Sequence, residues 1–158
     1  MKKFWLCIPS GLFPVLFSIS ITACVPPPPD LSVETAKVIE KIDKEMCAMA
    51  EKEGFNKALI QYADDSLIKP KEGELPVMSK KEFLEKVGDK PGPVTLTWWP
   101  VRAEAAISGE LGYTFGHWKF TQPDTTYYGN YLTIWKKHAD GSWKWVYDGG
   151  TNTPERKD

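Results

Sequence analysis

Proton-transfer chemistry has few places to start in this chain. It holds two histidines, His117 and His138, and imidazole is the side chain whose ordinary pKa, about 6.5, lies nearest neutrality. His117 falls in a stretch that reads as a strand, and Asp148 in the last such stretch. If the two meet within hydrogen-bond reach they can pass a proton, so His117 and Asp148 are the candidate catalytic residues. The competing reading of His117 is a half-buried surface residue. Candidate pocket residues are Tyr62, Trp98, Tyr113, His117, Trp118, Tyr131, Trp135 and Trp145. Beyond Ala23 the tryptophans are Trp98, Trp99, Trp118, Trp135, Trp143 and Trp145, all in the strand-rich part. Each hides about 150–250 Å² when buried, so they are expected in a core, at an interface, or on the wall of a pocket for a flat or apolar molecule.

Several chemistries lack their residues. A zinc site needs clustered His and Cys ligands; His117 and His138 stand apart, and no metal is expected. No Gly-rich phosphate loop and no G-x-S-x-G turn occurs, and no cofactor is expected.

The cysteines point to an address. Cys7, Cys24 and Cys47 are the three in the chain. Residues 1–23 have the three parts of an export signal: Lys2 and Lys3, an uncharged and mostly apolar run from Phe4 to Ile21, and small residues before Cys24. Ile21-Thr22-Ala23-Cys24 resembles the lipobox of bacterial lipoprotein precursors, which implies lipidation at Cys24 and attachment to a membrane. An uncleaved anchor and ordinary cleavage before Cys24 are the competing readings; Pro9, Gly11 and Pro14 weigh against a spanning helix. Val25 at the next position implies, by enterobacterial sorting rules, the periplasmic side of the outer membrane rather than the inner membrane. Cys7 leaves with the signal, so Cys47 is the one free thiol, expected as a small buried hydrophobe beside Met46, Ala48 and Met49. Loss of Lys2 and Lys3 takes Lys plus Arg from 20 to 18 against 21 acidic residues, a mature charge of −3. With no basic stripe, nucleic acid is not an expected partner.

The elements that must position these residues follow in order. Residues 24–32 carry the lipid site and the run Pro26 to Pro29, an extended tether at about 3.1 Å per residue. From Ser32, Val38, Ile39, Ile42, Met46 and Met49 recur at helical spacing, and Gly54 is a stop. A second helix carries Phe55, Leu59 and Tyr62, and Asp64-Asp65 ends it. Ser66 to Lys69 can form a short strand; Lys69 to Ser79 reads as a polar loop. Ser79-Lys80-Lys81-Glu82 is a capping box opening a third helix, closed by Gly88. Val94 to Ile107 is strand-like, with Val101, Ala103, Ala105 and Ile107 on one face, Glu104 on the other, and Pro100 at a bulge or edge. Strands follow at Leu111 to Phe120, Tyr128 to Lys137 and Trp143 to Asp148, with an Asp140-Gly141 turn between the last two. Parity puts Tyr113, Phe115 and His117 on one face against Thr114, Gly116 and Trp118, and Tyr131, Thr133 and Trp135 against Leu132 and Ile134. Which set faces inward is open. Helices first and an antiparallel meander after make an α+β domain, with a frayed end from Thr151 to Asp158.

On these residues the chain resembles the nuclear-transport-factor-2-like superfamily, and within it SnoaL-like domains and the family called domain of unknown function 4440. The resemblance rests on Gly109-Glu110-Leu111-Gly112-Tyr113-Thr114-Phe115-Gly116, on Tyr131-Leu132-Thr133-Ile134-Trp135, on the run Asp140 to Asp148, and on Tyr62-Ala63-Asp64-Asp65. It implies a cone: N-terminal helices packed on a curved antiparallel sheet around a pocket, frequently as a homodimer. The domain is expected over 33–153, with 154–158 a tail. Ketosteroid isomerase, a catalytic relative, uses an aspartate base opposite a tyrosine and a protonated aspartic acid; Tyr62, Asp64, Asp65, Tyr113 and Tyr131 do not map onto that set by motif.

The expected function is an envelope-anchored domain that binds a small apolar or aromatic molecule, with catalysis left open and disfavoured. The alternatives are acid–base isomerase or lyase chemistry of SnoaL-like type through His117 or Asp148, and a non-catalytic homodimeric interaction module.

Overall fold

The computed structural model describes residues 27–155. The leader, Cys24 and Val25 lie outside the described residues.

Helix α1 spans Ser32–Glu53 and buries Thr35, Ile39, Asp43, Met46, Cys47 and Ala50. These recur every three or four residues, the spacing of one helical face. The buried face is rotated from the one expected: Asp43 takes the centre, while Val38 is 39% exposed and Ala48 faces solvent. Gly54 ends the helix at φ 101°, and a Cβ there would lie 2.3 Å from the Pro91 carbonyl oxygen. Only glycine satisfies both conditions. Helix α2, Phe55–Tyr62, follows at once and buries Ala58 and Leu59.

The chain then enters strand β1, Ala63–Lys71, and turns back in β2, Glu74–Val77. The expected polar loop is therefore a hairpin; its side chains are mostly exposed, so it lacks the apolar alternation that marks a strand in sequence. Helix α3, Lys80–Val87, opens with the Ser79 hydroxyl accepting from the Glu82 backbone N–H at 3.2 Å. Glu82 returns a bond from the Met78 N–H at 2.8 Å. Strands β3 (Leu96–Ala105), β4 (Leu111–Thr121), β5 (Thr126–Lys137) and β6 (Trp143–Thr153) complete the domain. The last strand runs five residues past Asp148, so 151–153 is paired backbone rather than a frayed end.

The sheet order is β2-β1-β6-β5-β4-β3. All pairs are antiparallel except β1 beside β6. Register shifts bend it between Pro100 and Arg102 in β3 and between Ile134 and Trp135 in β5. The first leaves Val101 out of the ladder and 53% exposed, so Val101 does not join Ala103 and Ala105 on the inner face; Ile107 falls in the following turn, 65% exposed. Helix α1 crosses the inner face of β3 and β4. Its seat is close: a Cβ on Gly112 would lie 2.7 Å from the Ile39 Cδ1.

The inward set is Trp98 on β3, Thr114 on β4, Tyr131, Thr133 and Trp135 on β5, and Trp143 and Trp145 on β6, all buried. Each buried indole N–H that has an acceptor within the core keeps it there: Trp135 Nε1 donates to Thr114 Oγ1 at 3.0 Å and Trp145 Nε1 to the Leu59 carbonyl at 2.8 Å. Among the described residues no buried side-chain N or O lacks a partner, as a stable interior requires.

Candidate functional site

Between the helices, the β1 end and the inner face of the sheet lies a cavity of about 780 Å³. Phe55, Trp98, Trp118, Phe120 and Tyr131 form its aromatic wall, with Met46, Leu59 and Leu96 beside them. Lys69, Pro70, Lys71 and Glu72 line one side, and the strand from Asp148 to Asn152 the other. Aromatic walls with a few convergent polar groups are the usual make-up of small-molecule sites.

Position in the fold explains each polar group. Lys69 sits on β1 and Asp148 on β6, and the parallel pairing of those strands brings them together. Lys69 Nζ lies 2.5 Å from Asp148 Oδ2 and 5.5 Å from the centre of the Phe55 ring, within cation–π range. The Thr133 hydroxyl donates to Asp148 Oδ1 at 2.7 Å. Both charges are therefore fixed by their surroundings.

Behind the wall lies Asp43, fully buried. The Trp98 indole donates to its Oδ1 at 2.8 Å and the Tyr131 hydroxyl to its Oδ2 at 2.6 Å; the Thr114 hydroxyl bonds it too. Burial raises the Asp43 carboxyl above the ordinary range, and these hydrogen bonds pull against it. Tyr131 is pushed up in turn, first by burial and then by the Asp43 charge. Cys47, one turn along α1, accepts from the Trp98 backbone N–H at 3.3 Å. Burial lifts its thiol to about 11, so at neutral pH it stays protonated and is a poor nucleophile.

Of the sequence candidates, Trp98, Trp118, Tyr131 and Asp148 line this cavity. Trp135 and Trp145 do not: both are wholly buried in the core beneath it. Tyr62 also lies outside the lining, at the end of α2, its hydroxyl raised by burial. Tyr113 is on the outer face, where its hydroxyl donates to Glu104 at 2.7 Å. His117 is on that face as well. It pairs across the strands with Trp99 and Asn130, and its Nδ1 lies 2.8 Å from Asn130 Oδ1. Asp148 pairs with inward-facing Thr133. The expected His117–Asp148 couple is therefore not formed; the two side chains stand on opposite sides of one sheet. His138 is engaged elsewhere, its Nε2 2.7 Å from Asp64 Oδ2.

Phe55 and Phe120 of the aromatic wall, and the polar residues Asp43, Lys69 and Thr133, are members of the site that sequence reasoning missed. Asp43 had a signal: it lies four residues from Ile39 and four from Cys47, so a helix that buries both must bury it. Among the described residues no cluster of three His, Cys, Asp or Glu is placed to hold a metal, and no helix is long and apolar enough to cross a membrane.

This architecture, helices on the concave side of a curved mixed sheet with a cavity between, is the nuclear-transport-factor-2-like fold. The chain is similar to a ketosteroid isomerase-like protein from Erwinia carotovora atroseptica, at a TM-score of 0.63 and 16% identity over 77% of this chain and 98% of that one. It is also similar to an NTF2-like protein of unknown function from Pseudomonas putida, at a TM-score of 0.60 and 12% identity over 80% and 92%. The CaMKII hub of S. rosetta matches at a TM-score of 0.57 and 15% identity over 82% and 100%. No family model and no curated protein matches the chain. At such identities the likeness is one of fold, and one fold of this kind hosts unrelated functions.

Proposed function

We propose that this protein is a lipid-anchored envelope protein whose domain binds a small, largely apolar or aromatic molecule without transforming it. The observation that carries the binding reading is the cavity of about 780 Å³ faced by five aromatic rings. The domain already has a closed core beneath it in Trp135 and Trp145, so stability alone does not account for leaving such a wall open.

Catalysis has weaker support. His117 faces away from the cavity. Within it, the Tyr131 hydroxyl directs its proton to Asp43, and Asp148 is occupied by Lys69 and Thr133. The similarity to a ketosteroid isomerase-like protein keeps isomerase or lyase chemistry as the alternative, through Asp148, which lines the cavity, or through the Tyr131–Asp43 pair behind it. A homodimeric interaction module is a further reading, favoured by Trp99 and Val101, 45% and 53% exposed on the outer face.

For the anchor, the support is the sequence: a charged start, an apolar run and small residues before Cys24, with four prolines after it. The address we propose is the periplasmic side of the outer membrane.

Native mass spectrometry of the mature protein, purified gently from the producing organism's envelope, tests the binding reading. A reproducible added mass on the folded protein supports a ligand. A clean mass, above all as a dimer, favours the interaction module. Labelling cells with radioactive palmitate tests the anchor: the label is expected on the native protein and absent from Cys24→Ala, which leaves the membrane fraction. A label that survives Cys24→Ala would overturn it.

A further inference from the structure

We infer that the Lys69–Asp148 pair reads the polar end of the bound molecule, and that it selects neutral hydroxyl- or carbonyl-bearing aromatic ligands over carboxylates. The inference rests on the ligand-binding reading above and names the chemical class of ligand for that cavity.

The pair is unlike the other ion pairs of the domain. Its side chains are 21% and 13% exposed, whereas in each of the others described at least one partner is 39% exposed or more. It also stands beside the aromatic wall, against the Phe55 ring, in a lining whose other charged residues are Lys71 and Glu72. A ring lodged against Trp98 and Trp118 would strip water from both charges, and stripped charges need replacement partners.

The geometry decides which partner serves. Lys69 has three N–H donors; one points to Asp148, and the ammonium sits over the face of Phe55. Asp148 gives one oxygen to Thr133 and one to Lys69, and each oxygen has a lone pair to spare. A ligand hydroxyl can accept from Lys69 and donate to Asp148 together; a carbonyl can accept from Lys69. A carboxylate brought to the same ammonium would stand beside the Asp148 carboxylate, 2.5 Å from that nitrogen. Like charges placed so close are strongly disfavoured. A ligand cation meets the same obstacle at Lys69. The neighbouring charges do not change the balance: Lys71 is held by Glu74, and Glu72 on the same rim adds a negative charge against a carboxylate.

Isothermal titration of the full-length protein in lipid nanodiscs, with empty nanodiscs as the blank, tests this with 2-naphthol, 2-naphthoate and naphthalene. At neutral pH, 2-naphthol is expected to bind at least about tenfold more tightly than 2-naphthoate. Asp148→Asn is expected to raise naphthoate affinity until the gap closes or reverses, because it removes the repelling charge. Lys69→Met is expected to weaken naphthol several-fold and leave naphthalene unchanged. Equal binding of naphthol and naphthoate, or a gap that Asp148→Asn leaves intact, would overturn the inference. Naphthalene binding as tightly as naphthol would overturn it while sparing the pocket. If none of the three binds, the pocket reading falls with it. Should Asp148→Asn fail to fold, the unequal response of naphthol and naphthalene to Lys69→Met decides.

Discussion

The two faces of the sheet are made by alternate residues of the same strands, and they behave differently. Along β4 and β5 the inner set is Thr114, Trp118, Tyr131, Thr133 and Trp135; the outer set is Tyr113, Phe115, His117, Asn130, Leu132 and Ile134. Inside, every polar atom is held by another fixed group: Trp135 on Thr114, Tyr131 on Asp43, Thr133 on Asp148. Outside, Tyr113, Arg102 and Glu104 bond one another in the open, where water competes for each bond and net gain is small. Chemically similar residues thus carry different energetic weight, and the one-residue offset that separates the faces also separates His117 from Asp148.

Four measurements would sharpen or break that contrast. The largest effect is expected from a matched pair of truncations read by urea unfolding. Trp135→Ala should cost about 4 kcal/mol by leaving a cavity in the core, and Phe115→Ala on the outer face under about 1.5 kcal/mol; comparable losses would mean that the outer face is packed against something. Next is Asp43→Ala. It strands the buried donors of Trp98 and Tyr131, and should lower stability by about 3 kcal/mol, seen as a fall in the urea midpoint with the slope unchanged.

The third concerns pH. Because burial raises Asp43 in the folded state, its contribution is fully present below the ordinary value of 3.8 and is lost as pH rises through the folded value. The stability of the native protein relative to Asp43→Asn should therefore decline as pH rises from 3.8. A difference that is flat or grows with pH would show that the three hydrogen bonds outweigh burial. The smallest is Glu104→Gln. Hydrogen bonds from Tyr113 and Arg102 hold Glu104 low, yet its side chain is half open to water, so loss of its charge should leave the thermal midpoint where it was at any salt concentration.

Much of the fold was legible because local signals agreed with the final structure. The Ser79–Glu82 box, the stop at Gly54 and the turn at Asp140-Gly141 are short-range features, and each stands where its chemistry places it. The middle of β1 was legible as the short strand from Ser66 to Lys69, but its return in β2 was not, since those residues are mostly exposed, nor was the pairing of β1 with β6, some eighty residues further on. The cavity was half legible. Parity sorted Trp118 from His117, but both faces carry aromatic residues, and only the packing of α1 decides which is inward. Asp43 and Lys69 were passed over because a charged residue reads as a solvated one unless its place in the periodic stripe is weighed above its type.

The strand order has a consequence for how such a chain comes into being. β6, last of the described strands in sequence order, lies between β1, the first, and the β5-β4-β3 meander. The helices and the β5-β4-β3 meander can form on contacts of their own, but the two halves of the sheet share no strand until β6 pairs with both. Until then β1 presents an open edge of backbone donors and acceptors, the kind of edge that recruits other chains. The sheet is closed by one strand, so joining its two halves and burying both edges of β6 are a single event.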